Sequence, residues 1–208
     1  MRLLVVLAAC ALAACGQSSA PTEPGAPAEG VAQAGSAYQL TCADFAGVTL
    51  ASLQERFGAE NVVDQTLDGP EGMQYGATVI YPNDAARRLE VIWAEGAEHA
   101  RAQNVLVEGQ GNLWVGPHGL QVDMALADLE TANGGPFDIS GFGWDYGGSV
   151  TEWRGGAFSR AGCVVFARLS PAGEAHGAQG DAIFRSDSPA MQAANANVYE
   201  FGLGFPAE

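Results

Sequence analysis

Apolar positions recur at helical spacing in two stretches of this chain. In GVTLASLQERFGAENVV, Leu50, Leu53 and Phe57 share one helical face, Thr49 is placed to cap the first turn, and Gly58 falls just past the last. In VDMALADLETANGG, Val122, Leu126 and Leu129 share a face, Asp123 offers a cap and Asn133-Gly134 a stop. The two stretches superimpose, Leu50 on Leu126, Leu53 on Leu129 and Gly58 on Gly134. Period-two segments follow each helix. After the first come YGATVIYP, a polar turn at NDAA, and RLEVIWAE, in which Leu89, Val91 and Trp93 alternate with Glu90, Ile92 and Ala94, which predicts a hairpin. After the second come PFDISGFGWDYGG, SVTEW, an RGG turn and CVVFARL, which predict consecutive antiparallel strands. Ser188 is an N-cap with Pro189 at the first helical position, and NVYEFGLGF reads as a last strand returning to a sheet edge. Helices followed by blocks of strands, without strict alternation, predict an α+β fold. Its parts are two helix-plus-antiparallel-meander repeats, about 41–115 and 118–170, with the helices packed on one face of the sheet, and a C-terminal helix and strand at 186–205.

The start of the chain breaks this pattern. Arg2, an apolar run from Leu3 to Ala14 and then Cys15-Gly16 read as a secretory signal over residues 1–14, too short for a bilayer that needs about 20 apolar residues. LAAC at Leu12 to Cys15 resembles the lipobox of bacterial lipoproteins. That resemblance implies cleavage before Cys15 and acylation of its thiol, with palmitate among the acyl chains. A second LAAC ends at Cys10, but cutting there leaves only Leu3 to Ala9 as the apolar segment. The alternative is an ordinary secretory peptide whose cysteine is incidental. Gly16, rather than an aspartate, as second mature residue implies, at family level, an outer-membrane protein anchored by its lipid and facing the periplasm. After Cys15, residues 16–37 are Ser, Thr, Pro, Gly, Ala, Gln and Glu with Val31 as their only large apolar residue, a composition that makes 15–37 a flexible tether and no core. Folding is left to 38–208, roughly 170 residues, enough for a sizeable core.

Charge and cysteine usage narrow the function. The chain has 9 basic and 24 acidic residues, every basic one an arginine, for a net charge of −15, which argues against nucleic acid and anionic lipid surfaces as partners. With Cys10 leaving in the signal and Cys15 lipidated, Cys42 and Cys163 remain. An oxidising compartment suggests a disulfide between them, two separate buried thiols being the alternative. His99, His118 and His176 stand far apart with no second ligand at metal spacing, so no metal or other cofactor is expected. Ser149 lacks the context of a nucleophile elbow, and without lysine the nucleotide-gripping GxxxxGK[ST] loop cannot occur. No catalytic residue is therefore assigned and the chain is read as a non-enzyme. Asp128 and Glu130 point to different faces of their helix. Glu71, Asp145 and Glu152 are the carboxylates that an acid–base pair would draw on.

The capped TLASLQERFG and the later DMALADLETANGGPF resemble the tandem helix-plus-sheet repeats of the β-lactamase inhibitor protein and the SmpA/OmlA outer-membrane assembly lipoproteins. NGGPF followed by GFGWDYGG is similar to segments of uncharacterised bacterial lipoproteins. The GFGWDYGG stretch itself does not fit a nucleotide loop, because Tyr146 stands where GxGxxG needs its last glycine. Phe142, Trp144 and Tyr146 recur at period two with Gly143, Asp145 and Gly147 between them, which predicts a strand with one aromatic face. Trp93 and Trp153 extend that surface from neighbouring strands. The rings are either core beneath a helix or an exposed platform for a protein or a glycan. The platform reading makes Trp144, Tyr146, Trp153 and Asp145 the partner-binding residues of a lipid-anchored envelope protein that binds or scaffolds. The alternatives are a proteinaceous inhibitor of an envelope hydrolase, which the resemblance implies, and a glycan-acting hydrolase using paired carboxylates.

Overall fold

Thr49 opens the first long helix with a capping box: its hydroxyl accepts from the Ser52 amide, and its own amide donates to the Ser52 hydroxyl. The computed structural model describes residues 38–96, 98–175 and 177–206. The signal, Cys15, the tether and His176 lie outside the described residues. The helices are α1 (Cys42–Phe45), α2 (Leu50–Phe57), α3 (Leu126–Asn133) and α4 (Pro189–Ala194). Ser188 caps α4 as the sequence predicts, accepting from the Met191 amide. Asp123 does not cap α3. Its N-cap is Ala125 without a side-chain bond, and Asp123 sits at φ +68° with its carboxylate accepting from the Gly111 amide. Gly134 does end α3, in the left-handed conformation that glycine adopts without strain.

The strands are β1 (Tyr38–Gln39), β2 (Val62–Asp68), β3 (Gln74–Ile80), β4 (Leu89–Trp93), β5 (Ala102–Glu108), β6 (Trp114–Val115), β7 (Asp138–Ser140), β8 (Val150–Glu152), β9 (Val164–Ser170), β10 (Ile183–Arg185) and β11 (Asn197–Gly204). They form a six-stranded antiparallel sheet in the order β2-β3-β4-β5-β11-β9, a three-stranded antiparallel sheet β10-β7-β8, and a short parallel pair β1-β6. The fold is therefore α+β with mostly antiparallel sheets, and β3-β4 is the predicted hairpin. Two expectations are corrected. The last strand, β11, is interior, between β5 and β9, and no edge strand. The strands after α3 are not one meander, because β8 pairs with β7 in the smaller sheet while β9 joins β11.

Alternation divides the six-stranded sheet into two unlike faces. One carries Val62, Ile80, Leu89, Val91, Val105, Val107, Phe201, Leu203, Val165, Ala167 and Leu169, all buried in one core with Phe45 of α1, Leu53 of α2, Leu126 and Leu129 of α3 and Met191 of α4. Each fully buried side chain of this size contributes about 1.5–3 kcal/mol. On the opposite face Tyr75, Ile92, Leu106, Phe166, Arg168 and Glu200 are half-buried, and Val63, Glu108 and Val164 are exposed. Cys42 and Cys163 are bonded, with sulfurs 2.12 Å apart, which ties α1 to the residue preceding β9.

Candidate functional site

The less covered sheet face gathers carboxylates by register. Glu108 of β5 lies directly opposite Glu200 of β11, and Glu200 in turn opposite Arg168 of β9. Glu90 of β4 is opposite Leu106, two residues before Glu108 on the same face. A shift of register between Val198 and Glu200 inserts Tyr199 there as an extra residue. A cleft of about 500 Å3 results, lined by Asp68, Tyr75, Ile92, Leu106, Glu108, Asp145, Arg168, Tyr199 and Glu200.

These carboxylates are not equally matched. Glu90 is only 2% exposed, accepts from Nε and Nη2 of Arg88 and accepts again from the Tyr75 hydroxyl at 3.1 Å. Such pairing is what a buried charge requires. Glu200 has Arg168 Nη1 at 3.8 Å, outside hydrogen-bond distance. Glu108 has no hydrogen bond or ion pair from a side chain among the described residues. Glu108 is exposed as a residue, but packing around its carboxyl partly desolvates that group, which, followed by the charge of Glu90, pushes it above its ordinary value, with Arg88 opposing. Burial likewise raises Glu200; Arg168 opposes it, while Glu108 and Glu90 add to it. Burial also pushes the Tyr199 hydroxyl up to about 12, and burial followed by Glu90 raises Tyr75, so both phenols stay neutral at physiological pH.

Arg168 joins the cleft to the aromatic stretch. Its guanidinium lies over the Tyr199 ring at 5.2 Å, and Nη2 donates to the Asp145 carbonyl at 2.6 Å and to that of Gly147 at 3.4 Å. GFGWDYGG is not the predicted strand but a turn-rich loop. Glycine explains the difference: Gly143 and Gly148 adopt φ of +88° and +75°, outside the range of a regular strand, and a Cβ on Gly148 would collide with the Leu169 carbonyl. The loop is pinned from outside its own sequence, the Phe142 amide donating to the Ala178 carbonyl and the Gly180 amide to that of Phe142.

The loop separates the rings instead of aligning them. Phe142 points into the core, whereas Trp144 and Tyr146 remain 42% and 41% exposed and pack edge to face at 5.5 Å. The Trp144 indole donates to the Gly141 carbonyl. Trp153 does not extend this surface. It is buried against Phe137 and Phe158, and its indole donates to the Val165 carbonyl. Trp93, half-buried, donates to Thr78 Oγ1, which donates to Asp64, while the His99 ring stands 5.2 Å away. His118 is exposed in a turn against Phe158.

Of the carboxylates singled out from sequence, only Asp145 lines the cleft. Glu152 sits on β8, accepting from the Arg154 amide, and Glu71 in the turn after β2. Sequence reading missed Glu90, Glu108, Glu200, Tyr75, Tyr199 and Arg168. Its available signal was a charge at an alternating position inside otherwise apolar strands. No group of three or more metal-ligating side chains is placed to hold a metal among the described residues, and no helix among them is long and apolar enough to cross a membrane. Comparison with family models, with curated proteins and with solved structures returns no match.

Proposed function

We propose that this chain is a lipid-anchored envelope protein, held at the periplasmic face of the outer membrane by Cys15, that binds a partner on the less covered face of its six-stranded sheet. The observation that carries the reading is the exposed Trp144–Tyr146 pair beside a cleft in that face. Large exposed rings held in place, Trp144 by its indole's hydrogen bond to the Gly141 carbonyl and Tyr146 by packing on Trp144, bring contact area at little entropic cost, which is why Trp and Tyr dominate binding hot spots. The sequence supports the anchor through its lipobox-like LAAC and the tether behind it. Replacing Trp144 and Tyr146 by alanine is expected to abolish a crosslink made by the wild type in intact cells, and an unchanged pattern sinks the reading. Cys15→Ala is expected to move the protein from the membrane to the periplasmic fraction, and unchanged fractionation refutes the anchor.

The carboxylate pair favours a second reading, hydrolysis of a glycan by Glu108 and Glu200. Acid catalysis needs a carboxyl that keeps its proton, and both are shifted that way. Such chemistry also needs a partner acid pushed in the opposite direction, whereas burial raises these two together. Binding is therefore the first reading. Glycan turnover by the wild type that disappears in Glu108→Gln would reverse that order.

A further inference from the structure

We infer that the partner presents an arginine- or lysine-bearing protein segment, whose cations dock in the cleft at Glu108 and Glu200 while the adjoining chain packs on Trp144 and Tyr146. This inference rests on the binding reading above and gives the partner its chemistry. Like charges directly opposite on neighbouring strands destabilise a sheet, yet Glu108 and Glu200 stand in that relation at the interior junction of β5 and β11. Four acids outside the cleft are matched with arginine: Glu90 with Arg88, Asp84 with Arg87, Asp138 with Arg154 and Asp187 with Arg185. Among the described residues the only basic one lining the cleft is Arg168, against Asp68, Glu108, Asp145 and Glu200; it forms an ion pair with Glu200 at 3.8 Å and is held as well by the Tyr199 ring and the carbonyls of the aromatic loop, so negative charge stays in excess.

Charge complementarity selects the occupant. A cation entering this half-buried cleft meets an attraction less screened than at an open surface. The exposed rings of Trp144 and Tyr146, on either side of the cleft-lining Asp145 in the loop, suit the same guest, since arginine stacks on aromatic faces, as Arg87 already does on Tyr81 at 4.2 Å. A second copy of this chain is a poor occupant, because a net charge of −15 repels its like and no lysine is available.

The test titrates the full-length chain, in non-ionic detergent, with an oligoarginine peptide, following the fluorescence of Trp144, the exposed tryptophan. Saturable binding that weakens about tenfold in Glu108→Gln/Glu200→Gln, through loss of two partly screened ion pairs, supports the inference. It must be unchanged in Glu55→Gln/Asp128→Asn, which removes the same charge from exposed positions on α2 and α3. Equal weakening in both double variants, or none in the cleft variant, overturns it. Binding of a neutral chitin oligosaccharide but not of oligoarginine also overturns it, assigning the cleft to a glycan. The two levels separate in cells. Crosslinks lost in Trp144→Ala/Tyr146→Ala but kept in Glu108→Gln/Glu200→Gln overturn the cationic partner alone, whereas crosslinks kept in both overturn the binding reading itself. Thermal unfolding of each variant shows that it is folded before it is scored.

Discussion

Glu108→Gln is expected to make the unbound protein more stable. The substitution keeps the shape, exchanges one acceptor oxygen for an amide donor, and removes one of two negative charges held directly opposite each other across β5 and β11. Opposed like charges on a sheet cost roughly 0.2–1 kcal/mol, and Glu90 nearby adds to the repulsion, so a gain of about 0.5–1 kcal/mol at pH 7 is expected. For a domain of roughly 170 residues this raises Tm by about 1–4 °C. The sign follows from the direction of the shifts. Folding raises the Glu108 and Glu200 carboxyls above their ordinary 4.5, so their contribution to stability is present below that pH and is lost as pH rises through the folded values. The advantage of the variant must then shrink towards zero at pH 4, and salt must reduce it at pH 7. Thermal unfolding followed by circular dichroism at both pH values measures this. A loss of stability at pH 7, or an equal gain at pH 4, contradicts the idea that the cleft holds uncompensated negative charge.

Three further outcomes are expected. Trp153→Ala empties a core position and should destabilise by about 3–5 kcal/mol, whereas Trp144→Ala, nine residues earlier, should change stability by less than about 1 kcal/mol; chemical denaturation of both variants checks the contrast. Replacing Cys42 and Cys163 by serine opens a bond spanning a sequence separation of 121 residues and should cost about 5 kcal/mol in the chain-entropy treatment, seen as a lower midpoint in urea. Gly148→Ala should destabilise by about 3 kcal/mol or more, because the position has φ +75° and its Cβ meets the Leu169 carbonyl, and the emission of Trp144 should shift as the loop is displaced.

Much of the local structure is legible in the sequence. Thr49 signals the start of α2, Gly134 the end of α3, Ser188-Pro189 the start of α4, and alternation around Val91 the β3-β4 hairpin. What fails is what depends on distant partners. GFGWDYGG mimics a strand because its aromatics recur at period two, but the intervening glycines leave the backbone free to turn, and its course is fixed by carbonyls and amides near Ala178 and Gly180. NVYEFGLGF is read correctly as a strand and wrongly as an edge, since nothing local encodes insertion between β5 and β9. The same limit hides the cleft. Glu108 and Glu200 are far apart in sequence and become neighbours only once the register of β5 and β11 is known. Trp144 and Trp153 look alike in sequence, and packing alone makes one rim and the other core.

The central claim is that the face bearing Trp144 and Tyr146 meets a partner in the envelope. A photoreactive phenylalanine analogue placed at Tyr146, with a control at Glu55 on α2, tests it directly in intact cells. Capture of a discrete species from position 146 and none from position 55 is the predicted result. The same species from both positions, or nothing from position 146, contradicts it.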